Sequence, residues 1–414
     1  MKPEELAKKT KAASGILSHA ATEKKNSILM ILEGLIAEKQ EYLFNENRKD
    51  IENAQKEGLS KSMVDRLRID GKVIREMQAS IRDVVALPDP VGEIVKLWTR
   101  PNNLRVGRMR IPIGVILVIY ESRPNVTIEA FSLCLKSGNC VILKGGSEAY
   151  HSNLALFGLI TESLEKAGIT ADAAQFVGTG DRAYIYELLK LDDYIDLIIP
   201  RGGEALIRSV VEKSSIPVLK HYKGVCHIYV DEWAQLDLAY KVCLNAKAQK
   251  PATCNAMETL LVHESVAKTF LPEMADILHK QGVVIKGCGK TVKILKGIDK
   301  AKEQDWHEEY LDLTLSIKIV KDMDEAVSHI RKYGSDHTDA IITANYDNAW
   351  RFLREVNSSC VLINASTRLN DGYQLGLGAE MGISTTKLHA FGPMGLEELT
   401  VNKFIAFGDG QLRE

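Results

Sequence analysis

From Ile113 onward the chain alternates short apolar runs with amphipathic stretches, and that alternation restricts it to one kind of architecture. GVILVIY, CVILKGG, AAQFVGTGD and YIDLIIPRGG are separated by VTIEAFSLCLKSG, SNLALFGLITESLEKAG and YIYELLKL, and EALIRSVVEK follows. Nearly continuous apolar runs mean strands buried on both faces, and an intervening helix makes successive strands parallel. A second series begins near Val225 with VCHIYVD and continues through METLLVH, GVVIKG, LDLTLSIKIV, TDAIITA and SCVLINA. Two tandem, doubly wound α/β domains are therefore predicted, with ligands at the C-terminal ends of the strands.

The flanks follow other periods. Residues 4 to about 86 carry Leu, Ile and Val at three- and four-residue spacings among charges, which predicts three amphipathic helices. GEIVKLWTR and LRVGRMRIPIG alternate about a Pro-Asn-Asn turn and read as a long hairpin over 91–112, expected to reach another subunit. The C-terminal LEELTVNKFIAFG reads as one more strand. Ile111 to Tyr120 is the longest apolar run; it is far shorter than the roughly 20 residues of a membrane span and reads as a buried strand.

Composition narrows the function classes. Lys plus Arg number 53 against 55 Asp plus Glu, and 45% of residues are hydrophobic. That balance excludes a dedicated nucleic-acid binder, a disordered chain and a strongly charged membrane-surface protein. MKPEELAKKTKAASGIL has no apolar stretch of the kind a signal peptide needs, so the cytoplasm is the expected address. Seven cysteines without a C-x-x-C pair argue against a disulfide framework, and no His, Asp or Glu cluster has metal spacing, so no metal is expected. His263-Glu264 lacks the second histidine of H-E-x-x-H, and the first glycine of a P-loop ending in Gly289-Lys290-Thr291 would fall on Val284. Gly178-Thr-Gly180-Asp-Arg-Ala183 imitates a dinucleotide fingerprint, although a common turn at a strand end gives the same pattern.

The informative segment is KPATCNAMETLLVH, 250 to 263, which places Cys254 in a polar loop between a helix and a strand. Two readings stand: an inert, buried cysteine, or an exposed thiol whose neighbours Lys247 and Lys250 favour the thiolate.

That segment, with YESRPNVTIEA (120–130), VILKGGSEA (141–149), DLIIPRGG (196–203), VLKHYKGVCHIYVD (218–231), EYLDLTLSIKIV (309–320), EAVSHIRKYGSDHTDAI (325–341) and LGAEMGISTTKLHAFGPMGLEELT (377–400), resembles the aldehyde dehydrogenase superfamily. The likeness is strongest to the branch that reduces L-glutamyl 5-phosphate with NADPH to glutamate 5-semialdehyde and phosphate, in proline biosynthesis. The resemblance implies an aldehyde dehydrogenase-like α/β fold: an NADP(H)-binding domain over 1–90 and 113–231 with 374–394 returning to it, a cysteine domain over 232–373, and a β flap for oligomerisation from 91–112 and 395–414.

By the same resemblance Cys254 is the nucleophile that forms a thioester, and Asn125 supplies an oxyanion donor with the Cys254 N–H. Lys144 and Ser147 hold the adenosine ribose or its 2′-phosphate, Gly178 lies against the adenine, Arg201, Gly202 and Gly203 lie near the pyrophosphate, and Glu309 holds the nicotinamide ribose. Arg123, Lys220, His221 and His337 are the expected substrate contacts. Lys220 falls where hydrolytic relatives carry a glutamate, which speaks against the competing readings of a hydrolytic or CoA-acylating aldehyde dehydrogenase; an idle NADP-binding scaffold is the other alternative. The implied partners are the small-molecule substrate, a second copy in a homodimer or dimer of dimers, and transiently glutamate 5-kinase, with neither nucleic acid nor membrane. Two departures from the family pattern stand out, Phe391 where arginine is usual and Ala252 where glycine is usual.

Overall fold

A computed structural model of the chain describes residues 1–413, the side chain of Ser62 apart. The chain divides into two units, Met1–Lys220 with Gly376–Gly382 and Met394–Glu414, and His221–Leu375 with Ile383–Pro393. The first holds a four-stranded parallel sheet in the order Ala174–Phe176, Cys140–Gly145, Val115–Tyr120, Leu197–Arg201. Val115–Tyr120 is buried at every position, and the helix that follows it, Asn125–Lys136, is buried over most of its surface. These are the four strands that the first run of apolar segments predicts.

The N-terminal region forms five helices, not three: Pro3–Leu17, Thr22–Glu38, Gln40–Lys56, Lys61–Leu67 and Gly71–Ala86. Apolar spacing marks a buried face and carries straight through the breaks. The breaks come from backbone and caps. Lys39 leaves the helical region at φ −103° and ψ 22°, Ser60 caps the Met63 N–H, and the Asp70 carboxylate accepts from the N–H groups of Lys72 and Val73 at 2.9 Å. This layer is tied to the sheet's helices by buried cations. The Lys25 ammonium pairs with Asp89 and donates to the Lys136 carbonyl, and the Lys136 ammonium donates to Asn26 and the Val85 carbonyl.

The apolar run from Ile111 to Tyr120 is also two elements. Arg105–Pro112 belongs to a three-stranded antiparallel sheet between Ile94–Thr99 and Thr400–Phe407, which confirms the hairpin and the C-terminal strand; Val115–Tyr120 starts the parallel sheet. Gly114 makes the break. It sits at φ +132°, and a Cβ there would lie 2.2 Å from the Asp196 carboxylate, which also accepts the Val115 N–H and the Lys11 ammonium.

The second unit carries seven parallel strands in the order Asp299–Lys300, Val284–Gly287, Thr314–Val320, Met257–His263, Cys226–Val230, Thr338–Ile342, Cys360–Ile363. Cys226–Val230 pairs with Met257–His263 and Thr338–Ile342. The expected boundary at 231/232 therefore moves to 220/221, because the HIYVD strand lies inside the second sheet. The expected return of 374–394 to the first domain is likewise corrected: only 376–382 cluster there, while Ile383–Ser384 pairs with Gly392–Pro393 in the second unit. The expected flap segments cluster with the first unit. Among the described residues no helix is long and apolar enough to cross a membrane.

His329, within the family signature, is part of this core. It is 3% exposed among Trp306, His227 and Tyr333, with no hydrogen-bond partner for its Nε2 among the described residues. Burial, aided by the His227, Lys318 and Lys332 charges, pulls its pKa from 6.5 down to about 2. The folded chain holds this ring neutral where the unfolded chain binds a proton, so the associated stability is whole above pH 6.5 and is lost as the pH falls below it. His329→Phe keeps an apolar ring without the titration. Denaturant unfolding at a series of pH values is expected to show the variant losing about 2 kcal/mol less than the parent between about pH 6.5 and 5.

Candidate active site

In the second unit the loop between the helix Leu236–Ala248 and the strand Met257–His263 carries Cys254, half-buried, followed by buried Asn255 and Ala256. Several groups set its backbone. The Cys226 thiol donates to the Cys254 carbonyl at 3.1 Å, and Gly224 packs so closely that a Cβ would stand 1.8 Å from that oxygen. Asn255 donates to the Asn370 carbonyl at 3.0 Å and accepts from the Arg368 guanidinium, which also reaches Gln249 at 2.9 Å. Asn370 in turn donates to the Thr338 hydroxyl, itself 2.7 Å from Nδ1 of His337. The loop is thus fixed on both sides of the sulfur.

Two of the expected substrate residues stand beside it. One ring nitrogen each of His221 and His337 and the Cys254 sulfur all lie within 4.8 Å of one another. The His221 Nδ1–H donates to the Ile383 carbonyl at 2.7 Å, which fixes the orientation of the ring. His337 is fully buried, and burial, with the His221 charge, takes its pKa down to about 3, so its ring is neutral. The members of this grouping are far apart in sequence, and only the fold assembles them.

The cation beside the thiol is also different from the one expected. Lys247 is fully buried and paired with Glu258, itself 0% exposed. Burial raises the Glu258 carboxyl to about 7 and lowers Lys247, while their mutual attraction works against both shifts. Lys247 therefore serves the core, and Lys250 is exposed. Arg368, which sequence reasoning missed, faces the cysteine: burial lowers its pKa, and Asp371, Cys254 and Cys226 act in the opposite sense. Burial pushes the Cys226 thiol well above its ordinary range, which marks Cys226 as the inert member of the two. Glu309 is half-buried, and one carboxylate oxygen accepts the Gly224 N–H at 2.9 Å. At the departure from the family pattern, the Lys387 ammonium lies 5.2 Å over the Phe391 ring and so returns a cation to that neighbourhood.

The first unit holds a cleft of about 510 Å³ at the C-terminal ends of Val115–Tyr120 and Cys140–Gly145. Lys144 and Ser147 line it together with Glu121, Glu148, Arg182 and Tyr186. Burial lowers the Lys144 pKa, opposed by the Glu148 charge. Of the other expected cofactor residues, Gly178 lies against the Tyr150 ring, Arg201 packs beneath Gly382, and Gly203 starts the helix Glu204–Lys213. The Glu121 carboxylate accepts the Gly203 N–H at 2.9 Å and would meet a Cβ on Gly202 at 2.5 Å. An internal anion thus takes the helix N-terminus expected to face a pyrophosphate. Asn125 opens the helix Asn125–Lys136 and donates its amide to Glu129 at 2.7 Å. Arg123 is exposed; desolvation, then the Arg66 and Arg201 charges, lower its pKa, so three arginines share one neighbourhood. Lys220, half-buried, ends the unit.

A cysteine fixed in a polar loop of a parallel α/β unit, and a dinucleotide-sized cleft at strand ends in another, define an oxidoreductase of the aldehyde dehydrogenase type. The model of the aldehyde dehydrogenase family matches residues 2–294, and the chain belongs to that family. Its relatives place it more narrowly. A gamma-glutamyl phosphate reductase of Thermodesulfovibrio yellowstonii is 55% identical over 408 residues, spanning 99% of this chain and 98% of that protein. The crystal structure of gamma-glutamyl phosphate reductase from Thermotoga maritima covers both chains completely, with TM-score 0.98 and 46% identity. An acetylating aldehyde dehydrogenase of Geobacillus thermoglucosidasius shares the fold alone, at TM-score 0.69 and 16% identity.

Two measurements test this geometry. Gly224→Ala forces the Cys254 backbone to move, so the melting temperature is expected to fall and alkylation of Cys254 by iodoacetamide, measured on the still-folded variant, to slow by about tenfold or more. Lys247→Met leaves Glu258 buried without its cation and is expected to cost about 3–5 kcal/mol in denaturant unfolding, the loss shrinking as the pH falls and Glu258 protonates.

Proposed function

We propose that the chain reduces L-glutamyl 5-phosphate to L-glutamate 5-semialdehyde and phosphate with NADPH, the second step from glutamate toward proline. The observation that carries this is Cys254, held with His221, His337 and Arg368 in a chain related over its whole length to gamma-glutamyl phosphate reductases.

His221, one ring nitrogen of which lies within 4.8 Å of the sulfur, takes the thiol proton in this reading, and the Arg368 charge favours the thiolate that results. The sulfur attacks the acyl carbon, the carbon–oxygen bond to phosphate breaks, and a glutamyl thioester remains on Cys254. Asn125 and the Cys254 N–H are the oxyanion donors that the resemblance assigns to both tetrahedral species. When bound, the nicotinamide supplies the hydride that converts thioester to aldehyde and returns the thiolate. The cleft around Lys144 and Ser147 suits the adenosine end: its glycine-rich strand ends admit a close ligand, and Lys144 suits a 2′-phosphate. Gly178, Arg201, Gly202, Gly203 and Glu309 complete the proposed cofactor contacts, on condition that the Glu121 and Glu309 carboxylates give up the backbone N–H groups they now hold. Arg123 and Lys220, with His221 and His337, are the proposed contacts for the substrate's phosphoryl group and α-carboxylate. The antiparallel sheet exposes Ile94, Leu97 and Phe407 on one face and Phe404 on the other, apolar surface suited to a second copy of the chain.

The reaction is best tested backwards. Glutamate 5-semialdehyde with NADP⁺ is expected to give NADPH continuously only when inorganic phosphate is present, with a single equivalent per chain in its absence, and Cys254→Ala is expected to abolish both signals. Turnover that ignores phosphate would mean a hydrolytic enzyme, and turnover surviving the substitution would mean another nucleophile.

A further inference from the structure

The grouping of His221, Cys254 and His337 carries chemistry beyond the reduction. Two imidazole nitrogens and a sulfur lie within 4.8 Å of one another. A tetrahedral ion with Zn–N of about 2.0 Å and Zn–S of about 2.3 Å spaces its ligand atoms about 3.3–3.6 Å apart, so modest side-chain rotations close the set. Both rings are prepared for it. The Nδ1–H of His221 is spent on the Ile383 carbonyl, the outer contact that usually orients a metal-binding histidine. His337 is fully buried, its Nδ1 is 2.7 Å from the Thr338 hydroxyl, and its Nε2 has no hydrogen-bond partner among the described residues. A buried nitrogen left so is costly, and a ligand in this space would relieve it.

We propose that His221, Cys254 and His337 bind a zinc-class cation, Zn²⁺, Cd²⁺ or Co²⁺, with a fourth position open. Thiolate and imidazole donors select such ions over Mg²⁺ and Ca²⁺. The ion takes the sulfur as thiolate, and the thiol proton is released to solvent. No electron is transferred. Coordination lowers the nucleophilicity of the sulfur and puts the ion where the acyl phosphate must approach, so the ion silences the enzyme until a chelator removes it; this consequence, unlike the binding, rests on Cys254 being the nucleophile. Arg368 opposes a dication here and keeps the site exchangeable rather than structural.

The test uses Co²⁺ on the chelator-treated full-length protein. Thiolate-to-cobalt charge-transfer absorption and tetrahedral d–d bands are expected to saturate at one ion per chain. The charge-transfer band is expected to vanish in Cys254→Ser and survive Cys226→Ala, which removes the other nearby sulfur. His337→Gln and, should that variant not fold, His221→Gln are expected to weaken binding by about tenfold or more. No band, a band that persists in Cys254→Ser, or binding indifferent to both histidines would overturn the site. Zinc is expected to abolish phosphate-dependent turnover and EDTA to restore it. Cobalt binding at Cys254 with turnover intact under zinc would overturn the inhibition and the nucleophile assignment together, and leave the binding site standing.

Discussion

The approach of Gly224 to the Cys254 carbonyl is the constraint on which the second unit's chemistry depends. Any side chain at 224 would occupy the space of that oxygen, so the start of the strand Cys226–Val230 and the cysteine loop are shaped to each other. The same few residues multiply the effect: the Cys226 thiol accounts for the carbonyl, Glu309 for the Gly224 N–H, and the Ser335 hydroxyl for the Val225 N–H. A nucleophile needs a defined position more than it needs a strong contact of its own. Here the position is supplied by backbone.

Electrostatics around the sulfur follow from burial. Of the two lysines near the cysteine in sequence, Lys247 is sealed with Glu258 beneath the loop, and its charge is answered there. Both nearby histidines are shaped by their surroundings, His221 through its bond to Ile383 and His337 through complete burial. Arg368 keeps its charge at the cysteine while holding Asn255 in place, so one side chain both positions and polarises. Imidazoles beside the sulfur, one cation and a fixed thiol are what thiolate chemistry at neutral pH asks for.

How much of this was legible depends on the range of the interaction that decides it. Both parallel sheets were, because burial on two faces imposes continuous apolar runs on each strand. The hairpin and the C-terminal strand were legible from alternation about a turn. The breaks were not: Gly114 turns the chain against Asp196, which lies far along the sequence, and the caps at Ser60 and Asp70 interrupt an apolar period that continues through them. The cysteine was singled out by its polar loop and by resemblance, yet spacing pointed to Lys247 as well as Lys250, since nothing local reveals that Glu258 claims Lys247. His221, Cys254 and His337 meet only because their segments border neighbouring strands of one sheet, and Arg368 arrives from the segment after the last strand. No window of sequence contains such a set.

The central claim is that Cys254 carries the acyl group, and the direct measurement is the mass of the acylated chain. Glutamate 5-semialdehyde and NADP⁺, mixed with the protein in the absence of phosphate and quenched in acid within a turnover, are predicted to leave one glutamyl group on the chain. Proteolysis is predicted to place it on the peptide containing Cys254, and added phosphate to remove it. A glutamyl group on any other residue, or none formed while NADPH accumulates, would contradict the account.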